Sequence, residues 1–238
     1  MFQKGKEMKK FLILASIVFS LFAKTEQKIE FGYFATTGNS NSSSVSAGYS
    51  LQTYWTKSTK FDLKADMLYS KKDGETDNER YRLGSDLFFN YNKRLFTFVK
   101  FGFLRNRFEG YDAQYSVNPG IGYKLSLNQK HEVNLLGGYE YRYNDLTTNQ
   151  KQDFHYIKAE IDYTYHITSK NSLTANFYTI ENMEENRDYE SKLDTSLDLH
   201  IVDQLGLKLS YEIKYDNLPP EGKKKSDTLT KLSLTYTF

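Results

Sequence analysis

The feature that most constrains this chain is a two-residue alternation of apolar and polar side chains, repeated almost from end to end. Between Leu205 and Asp216, leucine, tyrosine and isoleucine occupy most alternate positions, and mainly lysine, serine and glutamate lie between them. Side chains alternate between the two faces of a β-strand, whereas a helical face recurs every three or four residues. The pattern predicts an all-β chain with one apolar and one polar face on each strand.

Twelve segments show this alternation, and they predict a transmembrane antiparallel β-barrel of twelve strands. They cover residues 28–37, 43–56, 59–70, 79–91, 95–106, 114–127, 131–144, 154–167, 171–181, 189–202, 205–216 and 227–238. Ten or fourteen strands are the alternatives, because the first hairpin and the fifth segment allow other interpretations. In the fifth segment Phe96 and Phe98 differ in parity from Phe101 and Phe103, and a β-bulge at Lys100 would place all four on one face.

The connections between these segments alternate in length. Two- or three-residue turns, such as Lys57-Ser58 and Asp203-Gln204, alternate with longer polar stretches, such as 71–78, 107–113, 145–152, 182–188 and 217–226. Short periplasmic turns and longer external loops are typical of outer-membrane barrels. With an even number of strands, this pattern predicts that both termini lie in the periplasm.

The first 23 residues have the pattern of a secretory signal peptide. Four lysines precede an apolar run at 11–22, which is shorter than the roughly 20 residues of a spanning helix. We therefore expect a signal peptide at 1–23 and an outer-membrane barrel at 24–238. Without that segment the chain has 28 basic and 29 acidic residues, a balance that argues against nucleic-acid binding.

Aromatic residues predict two belts at the membrane interfaces, where amphipathic rings accumulate. The expected turn-end belt contains Trp55, Phe61, Phe89, Tyr91, Phe96, Tyr123, Tyr165 and Phe238, and the expected loop-end belt contains Tyr69, Tyr81, Tyr115, Tyr141, Tyr143, Tyr156, Tyr189 and Tyr215. The alternative is the core of a soluble periplasmic β-sandwich. Sorting into two bands favours the cell outer membrane.

Two stretches, Arg105–Leu125 and Tyr215–Phe238, and the early Thr37-Gly38-Asn39-Ser40, resemble the uncharacterised salt-induced outer-membrane proteins, the YdiY-like family. The resemblance implies an outer-membrane barrel and a role in salt or acid stress. It offers no substrate and no catalytic residues. It also implies that the terminal strand, with Leu232, Leu234, Tyr236 and Phe238 facing lipid, is a signal for the barrel-assembly machinery.

The polar faces supply the candidate functional residues, which we expect to line the lumen. These are Asp62, Lys64, Asp66, Arg80, Arg82, Asp86, Lys124, Glu140, Arg142, Lys158, Glu160, Asp162, Asp194, Asp198, Lys208, Glu212 and Lys214. Buried charges persist when they are paired or hydrated. The leading function is a narrow diffusion channel for small solutes or ions, and the first alternative is a closed structural or partner-binding barrel without transport. An outer-membrane lipid hydrolase is the less favoured alternative.

Catalysis, metal binding and cofactor binding are not expected. His155 would lie at the external rim, where a lipid hydrolase of the outer membrane places its histidine, but no His-x-Ser-Asn pattern follows it. His131-Glu132 lacks the second histidine of a zinc motif. Asp73, Glu75 and Asp77 alternate as calcium loops begin, but Gly84 stands where the bidentate glutamate is required. The expected partners are outer-membrane lipid and lipopolysaccharide, which Lys223-Lys224-Lys225 could contact.

Overall fold

The computed structural model describes residues 25–36, 42–90 and 94–238, which form a closed antiparallel barrel of twelve strands. The strands are β1 Thr25–Thr36, β2 Ser42–Thr56, β3 Thr59–Lys72, β4 Glu75–Phe89, β5 Leu95–Asn106, β6 Tyr111–Ser126, β7 His131–Leu146, β8 Lys151–His166, β9 Ser172–Asn182, β10 Tyr189–Val202, β11 Leu205–Asp216 and β12 Ser226–Thr237. Each strand pairs with its sequence neighbours, and β12 closes the ring on β1. The predicted fold class is confirmed, and ten or fourteen strands are excluded.

The predicted signal peptide at 1–23 lies outside the described residues and stays a prediction. The Gly-Asn-Ser stretch of the first hairpin and Tyr91 also lie outside the described residues, and their assignments stay predictions. Within the described ranges, no helix has the length and apolar character needed to cross a bilayer.

The loops are shorter than the sequence predicts, because the strands extend into them. The expected loop at 71–78 is a two-residue turn, Asp73-Gly74, with backbone φ of 50° and 89°. Asp-Gly with two positive φ angles is the preferred chemistry of a tight hairpin turn, and it lets β3 and β4 pair to their ends. Glu75 and Asp77 therefore belong to a strand, and the calcium-loop geometry does not form.

The predicted bulge at Lys100 is wrong. β4 and β5 pair without interruption from Arg80↔Asn106 to Phe89↔Thr97, so Phe96 and Phe98 face the opposite side from Phe101 and Phe103. The irregularity lies further along, between Leu104 and Asn106 in the pairing with β6. Phe96 and Phe98 thus point into the barrel, where both are 2% exposed.

The outward face carries a broad band of exposed apolar side chains, among them Leu83, Ile121, Ile157, Leu209 and Leu232. Rings pair near both ends of the strands: Trp55 stacks on Phe61 with 5.1 Å between centroids, and Tyr189 meets Tyr215 in a tilted arrangement at 5.9 Å.

Two of the expected belt residues, Phe96 and Tyr156, point inward, and their assignment to the belts is wrong. The register pairs Phe96 with Gly122 and Tyr156 with Glu140, and those partners lie on the inner face. Tyr156 is 2% exposed and donates its hydroxyl to Asp188 at 2.9 Å.

Candidate functional site: the polar lumen

The lumen is defined by ion pairs that join strands far apart in the ring. Arg80 on β4 donates to Glu212 on β11 at 2.7 Å, five strands away by the shorter route. Lys100 on β5 reaches Glu160 on β8 at 2.7 Å, and Lys208 on β11 reaches Glu30 on β1 at 2.8 Å. Side chains on strands as far apart as β4 and β11 can meet in this way only through the interior of a closed barrel.

The strand registers place every predicted lumen residue on the same face as these pairs. They are Asp62, Lys64 and Asp66 on β3; Arg80, Arg82 and Asp86 on β4; Lys124 on β6; Glu140 and Arg142 on β7; Lys158, Glu160 and Asp162 on β8; Asp194 and Asp198 on β10; and Lys208, Glu212 and Lys214 on β11. The cross-barrel contacts bring together only some of them.

The densest cluster, the loop-end plug, consists of Glu140, Arg142, Lys158, Glu190 and Lys214. Arg142 binds Glu140 on its own strand at 2.7 Å and Glu190 on β10 at 2.5 Å. Lys158 binds the second oxygen of Glu140 at 3.1 Å, and Lys214 lies 3.7 Å from Glu190. Arg142, Glu140 and Glu190 are 5%, 2% and 3% exposed, so this end of the lumen is filled.

Aromatic rings complete the loop-end plug. Tyr156 lies under the Arg142 guanidinium with 5.0 Å from Cζ to the ring centroid, and Tyr178 lies 4.5 Å from the Lys158 ammonium. A cation over an aromatic face is attracted by the ring quadrupole, and the attraction is stronger away from water. The rings therefore hold the cations of the plug while filling the space between them.

A second cluster, the mid-lumen cluster, forms around Glu212. Its carboxylate accepts from Arg80 at 2.7 Å and from Arg82 at 2.8 Å, and Lys192 lies 3.2 Å away. Arg82 also binds Asp66 on β3 with both Nε and Nη2. Because β3, β4, β10 and β11 all contribute, this cluster links opposite walls of the barrel.

At the turn end of the lumen, the charged side chains on β7 and β8 are more exposed than those of the loop-end plug. Lys124 pairs with Glu132 at 3.2 Å, and Glu132 lies 3.5 Å from His166. The side chains of Glu132 and His166 are 39% and 44% exposed. Charges that are buried at the loop end thus give way to more exposed charges on β6, β7 and β8 at the turn end, where Lys60, Phe96 and Thr235 remain buried.

One wall of the lumen is apolar. Phe88, Phe96, Phe98 and Leu136 form a buried cluster on β4, β5 and β7. Phe96 and Phe98 lie in the space that a side chain at Gly122 or Gly120 on β6 would fill. Because glycine has no side chain, these positions leave room for the two rings beside the wall. The rings narrow the lumen on this side.

Several lumen residues were missed from sequence, above all Lys28, Glu30, Lys100 and Glu190. Glu190 shares its parity with Asp194 and Asp198, so alternation alone could have identified it. Lys100 was missed because the supposed bulge obscured its parity. The pairing of Lys28 with Asp198 leaves no sequence signal, since 170 residues separate them.

Two of the histidines singled out from the sequence lie on the outer face of the barrel. His155 faces outward, with Nδ1 hydrogen-bonded to the Tyr139 hydroxyl and its ring 5.5 Å from that of Tyr141. His131 also faces outward, stacked on Tyr165 at 4.6 Å. No group of three or more His, Asp or Glu suited to a metal is found in the described ranges.

Comparison with known sequences identifies relatives without a known activity. A family model described as "Protein of unknown function, DUF481" matches residues 29–238. The uncharacterized protein YdiY of Escherichia coli (strain K12) is 25% identical over 214 residues, which are 90% of this chain and 83% of YdiY. These matches confirm the resemblance to the YdiY-like family.

Solved structures with the same fold are outer-membrane barrels. The COG4313 outer membrane channel from Pseudomonas putida F1 has a TM-score of 0.55 at 12% identity, covering 90% of this chain and 95% of the channel. The NanC porin has a TM-score of 0.51 at 10% identity, and the match covers 89% of this chain and 97% of the porin. The translocator domain of autotransporter NalP from Neisseria meningitidis also scores 0.51 at 10% identity, covering 99% and 96%. At these identities the likeness extends to the fold alone.

Proposed function

Since the chain belongs to the DUF481 family of proteins of unknown function, we propose its role from its own geometry: a narrow diffusion channel for small solutes or ions in the outer membrane. The observation that carries the proposal is the polar lumen, which has partly exposed charges at the turn end and an ion-paired plug at the loop end. The structure then corresponds to the closed state of the channel, with the plug as its gate.

The outer surface supports the membrane location. An exposed apolar band lies between paired aromatic rings at the two ends of the strands, and a closed barrel leaves no unpaired edge in lipid. A signal peptide at 1–23 and periplasmic termini belong to this proposal. Its partners are the barrel-assembly machinery, which would read the strand with Leu232, Leu234, Tyr236 and Phe238, and the lipids and lipopolysaccharide around the barrel.

Unsatisfied polar groups support a lumen that admits water. In the part of the chain that the structure describes, Nε and Nη2 of Arg80, Oδ1 of Asn118 and Oδ1 of Asn134 are buried and lack a hydrogen-bond partner in the protein. All three residues are on the inward face. Buried polar groups in native proteins are nearly always satisfied by protein or by ordered water. Water entering from the turn end would supply the missing partners.

The lining charges indicate weak ion selectivity. Both signs alternate along single strands, as in Lys158 and Glu160 on β8 or Lys208 and Glu212 on β11. Rings of one sign are what make a pore select cations or anions. A balanced lumen would pass small ions of both signs with low conductance.

Single-channel recording of the folded barrel in planar bilayers tests the proposal. We expect small unitary currents, and we expect Arg142→Gln to raise them because the plug loses its contacts to Glu140 and Glu190. The matched control is Arg107→Gln, an exposed arginine in a loop at the same end, paired only with Asp112 in the described residues. Absence of current in the wild type and in Arg142→Gln, at all voltages and salt concentrations, would refute a channel.

The second candidate is a closed structural barrel, and the near-complete burial of Arg142, Glu140 and Glu190 favours it. For such a barrel we expect no current in the single-channel recordings and a lower thermal stability in Arg142→Gln. A conducting wild type excludes it.

The salt-stress role is also a proposal, and it rests on the family resemblance. Exposed ion pairs weaken as ionic strength rises, whereas buried pairs are screened less. Growth of a deletion strain across a range of salt concentrations, with plasmids carrying the wild type or Arg142→Gln, tests it. Unchanged growth of the deletion strain at every salt concentration would contradict this role.

A further inference from the structure

Two loops meet across the loop end of the barrel and enclose a cavity. The loop at 107–110 joins β5 to β6, and the loop at 217–225 joins β11 to β12 on the opposite side of the ring. Pro220 nevertheless lies against Gly110, since a Cβ built at Gly110 would be 3.0 Å from the Cβ of Pro220. A cavity of about 350 Å³ lies between the two loops.

The floor of this cavity is built from buried polar groups. Asp216 and Tyr111 are 6% and 4% exposed, and Lys214 lies 3.3 Å from Glu109 and 4.0 Å from Asp216. The Leu218 amide donates to Asp216 at 3.0 Å, which ties the second loop to the floor. The walls are apolar, formed by Phe108, Pro219 and Pro220.

The rim of the cavity carries three charges that are free to bind a ligand. Lys223, Lys224 and Asp227 all line the cavity, and within the described ranges none of the three makes an ion pair within 4 Å. Lys214 and Glu109, in contrast, neutralise each other at the floor. The complete lining holds three lysines and three carboxylates, so the site has no net sign.

We propose that this cavity binds a small zwitterion, a compact apolar skeleton with one ammonium and one carboxylate group, of the size of an amino acid. A simple anion would face the carboxylates of Glu109, Asp216 and Asp227, and a simple cation would face three lysines. A zwitterion can present its ammonium to Asp227 and its carboxylate to Lys224 while the skeleton packs on Phe108 and the prolines. A volume near 350 Å³ is at the lower end of small-molecule pockets.

A zwitterion bound here would be the class of solute that enters the channel at its loop end, so this part of the proposal rests on the proposed function. Binding itself does not require conduction. The two proposals can therefore fail separately. Leucine binding without current would support the binding site and refute the channel, and current without leucine binding would support the channel and refute the binding site.

Titration calorimetry on the folded, detergent-solubilised full chain tests the inference with three probes that share one skeleton. The probes are L-leucine, 4-methylpentanoate, which lacks the ammonium, and 3-methylbutylamine, which lacks the carboxylate. We expect leucine to bind at least about ten-fold more tightly than either analogue. Equal affinity for all three, or no binding of leucine, would overturn the proposal.

Substitutions assign the two charges. We expect Asp227→Asn to weaken leucine binding about ten-fold and to leave 4-methylpentanoate unaffected, and Lys224→Gln to weaken leucine and leave 3-methylbutylamine unaffected. The controls are Asp153→Asn and Lys151→Gln, exposed residues of the same types at the loop end of β8. Leucine affinity that is unchanged in both cavity variants contradicts the assignment. The comparison of the three probes on the wild type tests the proposal even if a variant fails to fold.

Discussion

Arg80 and Glu212 are 132 residues apart in the chain, yet Nη1 of the arginine lies 2.7 Å from Oε1 of the glutamate, joining β4 to β11 through the lumen. Glu212 also accepts from Arg82 and lies 3.2 Å from Lys192. One carboxylate thus contacts three cations drawn from two walls of the barrel, while Asp66 pairs with Arg82 and Asp194 pairs with Lys192.

Replacing Glu212 by Gln should destabilise the barrel strongly, because three largely buried cations would lose their shared counter-charge. Removing one partner of a buried pair typically costs about 3–5 kcal/mol. Urea unfolding followed by Trp55 fluorescence measures the change. Glu75→Gln, on the exposed end of the β3–β4 hairpin, is the control and should cost little. Equal midpoints for the two variants would contradict a structural role for the mid-lumen cluster.

Gly122→Val should destabilise the turn-end wall by about 1–3 kcal/mol, since the new side chain would overlap the Phe96 ring. Gly84→Val on β4 is the control, because a Cβ there meets nothing within 4 Å. The double variant Phe96→Leu/Gly122→Ala should recover part of the stability that Gly122→Ala alone loses. Additive effects in this thermal-unfolding cycle would show that the ring and the glycine are not coupled.

Gly74→Ala should lower the free energy of unfolding by about 1 kcal/mol, because φ of +89° is strained for any residue with a side chain. Asp73→Asn should be nearly neutral, since asparagine suits the first position of the same turn. The measurement is the shift of the urea midpoint on folding into lipid vesicles. A Gly74→Ala variant as stable as the wild type would mean that the β3–β4 turn adopts another conformation in the membrane.

Ile157→Arg should reduce folding into lipid vesicles, because this outward side chain, 62% exposed, lies within the apolar band. A lipid-facing arginine near the bilayer midplane costs about 2–4 kcal/mol. Leu218→Arg is the matched control, an exposed apolar residue in a loop outside the band. If both variants fold into vesicles like the wild type, the band does not contact lipid.

The sequence by itself determined which residues form strands and which face of each strand is polar, because the two-residue period is a local property of extended backbone. β5, β10 and β11 begin and end where the alternation predicts, and the residues predicted for the lumen share one face. The errors occur where a local pattern was ambiguous. Phe96 and Phe98 looked displaced by a bulge, and an uninterrupted register instead turns them inward.

Only the tertiary structure decided which inward charges meet. Arg80 with Glu212 and Arg142 with Glu190 depend on how the barrel closes, since strand number and stagger together set its diameter and the relative height of opposite walls. Alternation carries no information on that stagger. The same closure brings the loop at 217–225 against Gly110 and creates the cavity at the mouth. The local sequence pattern thus determined which residues are polar and face inward, and the plug, the mid-lumen cluster and the cavity follow from closure of the ring.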